Sequence, residues 1–256
     1  MEQMVPVGGG EVWVRDSGGA GVPAVLLHPG WGDSGIWDDV AARLEPHVRV
    51  IRYDSLGYGE SSAPTVRYTA LDELQAVLHR LGIERAVFTG HSGGGGTALS
   101  LALAEPERVA ELVLLAPGVA GYTWPTDDPF MSRASAAAQA HDVEELVRIG
   151  LETWARAGNG EAVETQIRSA VSGMNRQARF LDEDPPAFDR LGEIDAPTTL
   201  AFGDREYLMV AECCNALAER IPGCRLLTLP GVDHMVPLRA PDVVAELVAK
   251  AVAEAA

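Results

Sequence analysis

The segment Ala86-Val87-Phe88-Thr89-Gly90-His91-Ser92-Gly93-Gly94-Gly95-Gly96-Thr97-Ala98 joins an apolar run to a corner of small residues holding one serine, then to a helix-compatible stretch. A strand that turns sharply into a helix forces the corner residue into strained backbone angles and lifts its side chain above the sheet. Ser92 therefore reads as a nucleophile for acyl transfer, in the spacing Gly90-His91-Ser92-Gly93-Gly94 that matches G-x-S-x-G. Gly90 and Gly94 leave room for strand and helix to pass closely, and the N–H of Gly93 points toward whatever Ser92 attacks.

A serine hydroxyl is a weak nucleophile until a base takes its proton, and the base in turn needs a carboxylate to orient it and stabilise its charge. The base is expected after the serine, on a loop past a strand end. His234 meets this in Leu229-Pro230-Gly231-Val232-Asp233-His234-Met235, directly after the apolar run Arg225-Leu226-Leu227-Thr228-Leu229. The carboxylate is expected past another strand, and Thr198-Thr199-Leu200-Ala201-Phe202-Gly203 is followed by two, Asp204 and Glu206.

With serine, acid and histidine in this order the chain resembles the α/β-hydrolase family over nearly its whole length. The resemblance implies an acid three residues past the strand-ending glycine, hence Glu206, with Asp204 in reserve. Glutamate is one methylene longer than the aspartate more usual there. A family variant places the acid after the preceding strand, but Glu111-Leu112-Val113-Leu114-Leu115 ends in Ala116-Pro117-Gly118, which offers no carboxylate. His28-Pro29-Gly30-Trp31-Gly32 is similar to the family's H-G-x-x-G segment, whose third residue donates an N–H to the oxyanion. That assigns the oxyanion hole to Gly30 and Gly93, with Trp31 in reserve for Gly30, since proline at 29 has no N–H to give. Tyr53-Asp54-Ser55-Leu56-Gly57-Tyr58-Gly59-Glu60-Ser61 resembles a family turn, with Leu56 where the family usually has arginine.

The elements that must position these groups are legible as short β-branched runs alternating with helical patterns. Runs at Glu11 to Arg15, Ala24 to His28, Val48 to Tyr53, Ala86 to Thr89, Leu112 to Leu115, Thr199 to Phe202 and Leu226 to Leu229 imply α/β class. The expected architecture is a mostly parallel central sheet flanked by helices, the α/β-hydrolase fold, with a helical cap inserted after the sixth strand. The alternation breaks between Pro117 and Pro197, where no convincing strand is found. Residues 1–117 and 197–256 are thus expected to form the core and 118–196 the cap. Among the large apolar residues near the site, Trp31, Trp124 and Met131 are the candidates for the substrate pocket.

Composition bounds the partners. The 256 residues carry a net charge of −17 and scatter 20 cations, which argues against nucleic-acid binding. A single lysine, Lys250, leaves neither a Schiff base nor a P-loop to build on, so chemistry without a cofactor is expected. Cys213, Cys214 and Cys224 lack metal-ligand spacing and read as reduced structural residues, with no metal site. No leader pattern or membrane-length apolar span is present, so a cytoplasmic monomer or homodimer without membrane attachment is expected. The resulting expectation is a serine hydrolase acting on a small to medium, largely apolar carboxylic ester, thioester or lactone. Carbon–carbon bond hydrolysis, a lyase or cyclase step, peracid formation and a ligand receptor remain the alternatives.

Overall fold

A parallel sheet covered by helices buries both faces of its strands, and such strands carry near-continuous apolar runs instead of an alternating pattern. The computed structural model, which describes residues 1–125 and 128–256, has this form. In chain order the elements are β1 (Glu2–Val7), β2 (Gly10–Asp16), β3 (Ala24–Leu27), α1 (Asp38–Leu44), β4 (Val50–Tyr53), β5 (Tyr68–Thr69), α2 (Ala70–Leu81), β6 (Ala86–His91), α3 (Gly93–Ala104) and β7 (Val109–Leu115). They continue as α4 (Pro129–Gln139), α5 (Val143–Trp154), α6 (Glu161–Gln177), β8 (Leu181–Asp182), β9 (Thr198–Gly203), α7 (Leu208–Arg220), β10 (Arg225–Leu229), α8 (Val236–Arg239) and α9 (Pro241–Ala255). Every residue of β3, β4, β6, β7 and β9 is buried.

The large sheet has the order β1-β2-β4-β3-β6-β7-β9-β10. Its first two pairings are antiparallel and the rest are parallel. Three strands, β1, β5 and β8, were not legible in the sequence. Glu2–Val7 forms β1, an edge strand on which only Val5 is buried, so its pattern carries little apolar signal. Leu181–Asp182, inside the interval that was expected to hold no strand, pairs in parallel with Tyr68–Thr69. Two residues are too short for any periodicity, and this small ladder exists because the insertion and the core meet there.

Between β7, the sixth strand of the large sheet, and β9 the chain leaves the sheet to form α4, α5 and α6. Glycines let these helices sit directly on core aromatics. A methyl group at Gly150 in α5 would come 2.7 Å from the Trp31 ring, and one at Gly173 in α6 would come 2.4 Å from the Tyr58 ring. Among the described residues no helix is long and apolar enough to cross a membrane.

Candidate active site

The strand order places β3 beside β6 while the chain leaves β3 toward one edge and β6 toward the other. Loops at the carboxyl ends of two such strands diverge and open a crevice between them. Leu27 pairs with Gly90, so the loop carrying Gly30 and the corner carrying Ser92 flank that crevice.

Ser92 stands between β6 and α3 with φ 52° and ψ −114°, a left-handed conformation that costs on the order of 1–3 kcal/mol for a residue with a side chain. The neighbourhood over-determines it. The Ser92 N–H donates to Leu115 at 2.9 Å, and its carbonyl accepts from Gly95 at 3.0 Å and Gly118 at 3.1 Å. Gly90 and Gly94 are required by close approach, since a methyl at Gly90 would lie 2.4 Å from the Gly94 carbonyl oxygen and one at Gly94 would lie 2.4 Å from that of Leu27. The glycines thus offset their unfavourable helix propensity by letting α3 pack against β3 and β6.

Gly93 opens α3, where backbone N–H groups have no partner within the helix and the helix dipole is positive. Across the crevice, a methyl on Gly93 would come 3.5 Å from the Gly30 nitrogen, so the two residues face one another. The Pro29–Gly30 peptide is held by His28. Ser55 N–H donates to His28 Nε2 at 3.0 Å, which puts the ring proton on Nδ1, and Nδ1–H donates to the Pro29 carbonyl at 2.8 Å. In a trans peptide the N–H points opposite the C=O, so the bond that fixes the Pro29 oxygen also fixes the direction of the Gly30 N–H. Tyr58 holds the next carbonyl, donating its hydroxyl proton to Gly30 O at 2.9 Å.

His234 lies on the loop after β10. Its Nδ1 is 3.0 Å from Glu206 Oε2, and both side chains are buried. Glu206 keeps its other oxygen on the Tyr207 N–H at 2.7 Å, and His234 Nε2 is buried without a hydrogen-bond partner in the protein. The imidazole is braced by Trp154, whose ring centre is 4.5 Å away. The His234 carbonyl accepts from His91 Nε2 at 2.6 Å, so the residue preceding Ser92 anchors the main chain of His234. Burial holds His91 well below the usual histidine range, and it stays neutral as a donor. Asp204 does not reach the imidazole: it is exposed and accepts from Gly231 N–H at 2.7 Å, closing the loop that carries His234.

Several groups that hold the site gave no signal in the sequence. Asp233 is fully buried, pairs with Arg239 at 2.9 Å and accepts from Ala157 N–H at 2.7 Å, which ties the histidine loop to the end of α5. Gln166 in α6 clamps Asp33 on the Gly30 loop from both sides, accepting from its N–H at 2.9 Å and donating to its carboxylate at 3.0 Å. Ser169 donates to the same carboxylate. These hydrogen bonds outweigh burial and lower the Asp33 pKa. Their partners lie more than a hundred residues away in the chain, beyond the reach of any local pattern.

A cavity of about 410 Å³ opens beside Ser92, with Gly30, Gly93 and Trp124 in its wall. Trp31 and Met131 were expected to line the pocket with Trp124, and this is corrected for both. Trp31 packs against Phe130 and Trp154 and seats α5, while Met131 is 48% exposed. Asp54, on the turn that resembles the family segment, accepts from Ser34 N–H at 2.9 Å and Glu60 N–H at 3.0 Å and acts as a structural brace.

Residues 24–247 match the sequence profile of the alpha/beta hydrolase family. The chain belongs to this family. A putative carbamate hydrolase, RutD, of Azorhizobium caulinodans is 29% identical over 254 residues, covering 90% of each chain. A 2-hydroxy-6-oxononadienedioate/2-hydroxy-6-oxononatrienedioate hydrolase of Klebsiella pneumoniae is 28% identical over 235 residues, covering 84% of this chain and 81% of its own. The crystal structure of a hydrolase from Pseudomonas aeruginosa superposes with a TM-score of 0.81 at 26% identity, covering 98% of this chain and 97% of the other. The two sequence relatives are named for different substrates, so the chemistry of this member rests on its own site.

Proposed function

We propose that this alpha/beta hydrolase is a serine hydrolase that cleaves a carboxylic ester, thioester or lactone through an acyl-enzyme on Ser92. The observation that carries the reading is the His234 imidazole, held through Nδ1 by the buried Glu206 carboxylate with Nε2 left free, on a main chain that His91 ties to the strand end just before the strained Ser92. A carboxylate on Nδ1 keeps the proton there and leaves Nε2 as the base. His234 Nε2 takes the Ser92 hydroxyl proton as Oγ bonds to the carbonyl carbon, and the carbonyl π electrons move onto oxygen. The N–H groups of Gly93 and Gly30 receive that oxyanion. Gly30 fits this role better than Trp31, because Gly30 faces Gly93 across the crevice. Each such donor is worth on the order of 10²–10³ in turnover. Collapse expels the alkoxide or thiolate, which takes the proton from His234. Water then gives a proton to Nε2 and attacks the acyl carbon, and collapse of this second intermediate breaks the bond to Oγ, which takes the proton back from His234 as the acid leaves.

The Klebsiella relative is named for a dioate substrate. Here the cavity wall carries Glu73, Asp182, Glu183 and Asp184 and, among its described residues, no arginine or lysine. That lining disfavours a dianionic acyl group and supports an ester-type substrate. Intact-mass spectrometry after exposure to a fluorophosphonate, with turnover of p-nitrophenyl esters, tests the assignment. A single adduct on Ser92, absent in Ser92→Ala, with ester hydrolysis is the expected result; an adduct elsewhere, or none, overturns it.

A further inference from the structure

The cavity beside Ser92 extends to the seam where β5 meets β8, and its wall includes several polar side chains. Glu73 in α2 is 2% exposed; its Oε2 accepts from Leu56 N–H at 2.8 Å, while Oε1 is buried with no partner. Ser100 in α3 is 5% exposed, and its hydroxyl, which stands beside the Asp184 carboxylate, makes no well-formed hydrogen bond. Both side chains belong to the cavity wall, together with Asp184, whose carboxylate accepts from Leu71 N–H at 2.9 Å. Gln177 and Tyr68 bond to each other at 3.0 Å and complete the end of the cavity.

A buried polar atom without a partner is costly, on the order of 1–3 kcal/mol, and two side chains of one cavity wall that carry such atoms point to a ligand that supplies the missing bonds. Both orphans can accept, and the nearest charges of the wall are carboxylates. Asp182 is paired with Arg67, a side chain that points to solvent and is no part of the wall. The occupant that satisfies this end is therefore a hydrogen-bond donor, neutral or cationic, and a carboxylate is repelled. Burial also raises the Glu73 pKa to about 7 and raises that of Asp184, outweighing the hydrogen bonds that each carboxyl already accepts.

The cavity identifies which half of the substrate carries the donor. Its wall includes Ser92, Gly93 and Gly30 but not His234. The leaving group must stand within reach of the His234 proton, so the cavity receives the acyl half.

We propose that Glu73 and Ser100 form an acyl-end subsite that binds a hydroxyl or ammonium group carried by the acyl part of the substrate. This rests on the serine-hydrolase reading and narrows it, replacing the largely apolar substrate expected from sequence with one bearing a terminal donor. The test uses phenylboronic acids, which bond reversibly to an activated serine and direct their ring into the acyl cavity. Four para substituents are compared: methyl, hydroxymethyl, aminomethyl and carboxylate. The readout is protection of Ser92 from fluorophosphonate labelling by the full-length enzyme. The hydroxymethyl or aminomethyl compound should protect at least tenfold better than methyl, and carboxylate worse than methyl. The stronger of the two donors tells whether charge or a neutral hydrogen bond dominates. In Glu73→Gln, which keeps an acceptor for Leu56 N–H, the aminomethyl advantage should fall at least fivefold. In Ser100→Ala the hydroxymethyl advantage should fall. Normal labelling with equal protection by all four, with methyl best, or with ratios unchanged in both variants overturns the subsite and leaves the serine-hydrolase reading standing. Absence of labelling overturns that reading itself.

Discussion

Replacing Glu206 by glutamine tests the proposed acid with an almost isosteric change, and the structure states how it should fail. Glu206 uses Oε1 for the Tyr207 N–H at 2.7 Å and Oε2 for His234 Nδ1 at 3.0 Å. In Glu206→Gln only one oxygen remains. The Tyr207 N–H can bond only to an acceptor, so it keeps the amide oxygen and turns the NH₂ group toward His234. That group donates to Nδ1, which drives the imidazole proton onto Nε2, where the base must be empty. A wrong tautomer of this kind lowers turnover by about 10⁴ without disturbing the geometry. Asp204→Asn is the matched control. Its side-chain oxygen still accepts from Gly231 N–H, the bond at 2.7 Å that closes the histidine loop, so turnover should change by less than about threefold. Steady-state kcat on a p-nitrophenyl ester, with thermal unfolding to show that both variants fold, gives the comparison. Equal losses in the two variants, or a loss under tenfold in Glu206→Gln, refute the reasoning and move the acid elsewhere.

Two further changes probe the surroundings. Glu73 is a buried acid whose pKa is raised from an ordinary 4.5 to about 7, so the folded state favours its protonated form. The stability it allows is fully present below the unfolded pKa and is lost as pH rises through the folded one. Glu73→Gln removes that loss, and its unfolding free energy relative to wild type should improve by about 2–3 kcal/mol between pH 5 and pH 8. A difference independent of pH, measured by urea unfolding at both values, would contradict the burial argument. Gly173→Ala places a methyl 2.4 Å from the Tyr58 ring, so α6 and Tyr58 must separate. A cost of about 1–3 kcal/mol in stability is expected from overpacking, with a fall in kcat as the Tyr58–Gly30 bond stretches. Loss of stability with unchanged kcat would show that Tyr58 does not help to position the loop.

What could be read from the chain was whatever chemistry is local. Ser92 stands out as the candidate nucleophile because a strand, a glycine corner and a helix follow one another within thirteen residues, and His234 as the candidate base because its loop follows a strand directly. Glu206 stood out from Asp204 only through the family resemblance, since both carboxylates sit within three residues of Gly203 and sequence holds no measure of which one turns inward. The insertion was legible as an interruption of the strand rhythm, but not its fit. Trp31 is as apolar in the sequence as Trp124, and what sends one against α5 and the other into the cavity wall is Gly150, over a hundred residues from Trp31. Glu73 reads as an ordinary first-turn acid of a helix whose Thr69 and Asp72 form a capping box. Its burial depends on the Leu56 loop closing over it.

The parts that sequence concealed bear on one peptide. The Gly30 N–H is aimed by the His28 bond to the Pro29 carbonyl, and the next carbonyl is fixed by Tyr58. The loop beyond is clamped at Asp33 by Gln166 and Ser169 of α6. Tyr58 and Trp31 are in turn seated on glycines of α6 and α5. The proposed oxyanion donor is thus set by the packing of the helical insertion as well as by the sheet that carries it. An oxyanion donor acts mainly in the transition state, so disturbing this packing lowers kcat more than it raises KM. Substitutions in the cavity wall do the reverse when they remove binding common to substrate and transition state. The insertion therefore acts on this site in two separable ways, through the cavity that it closes and through the peptide that it aims.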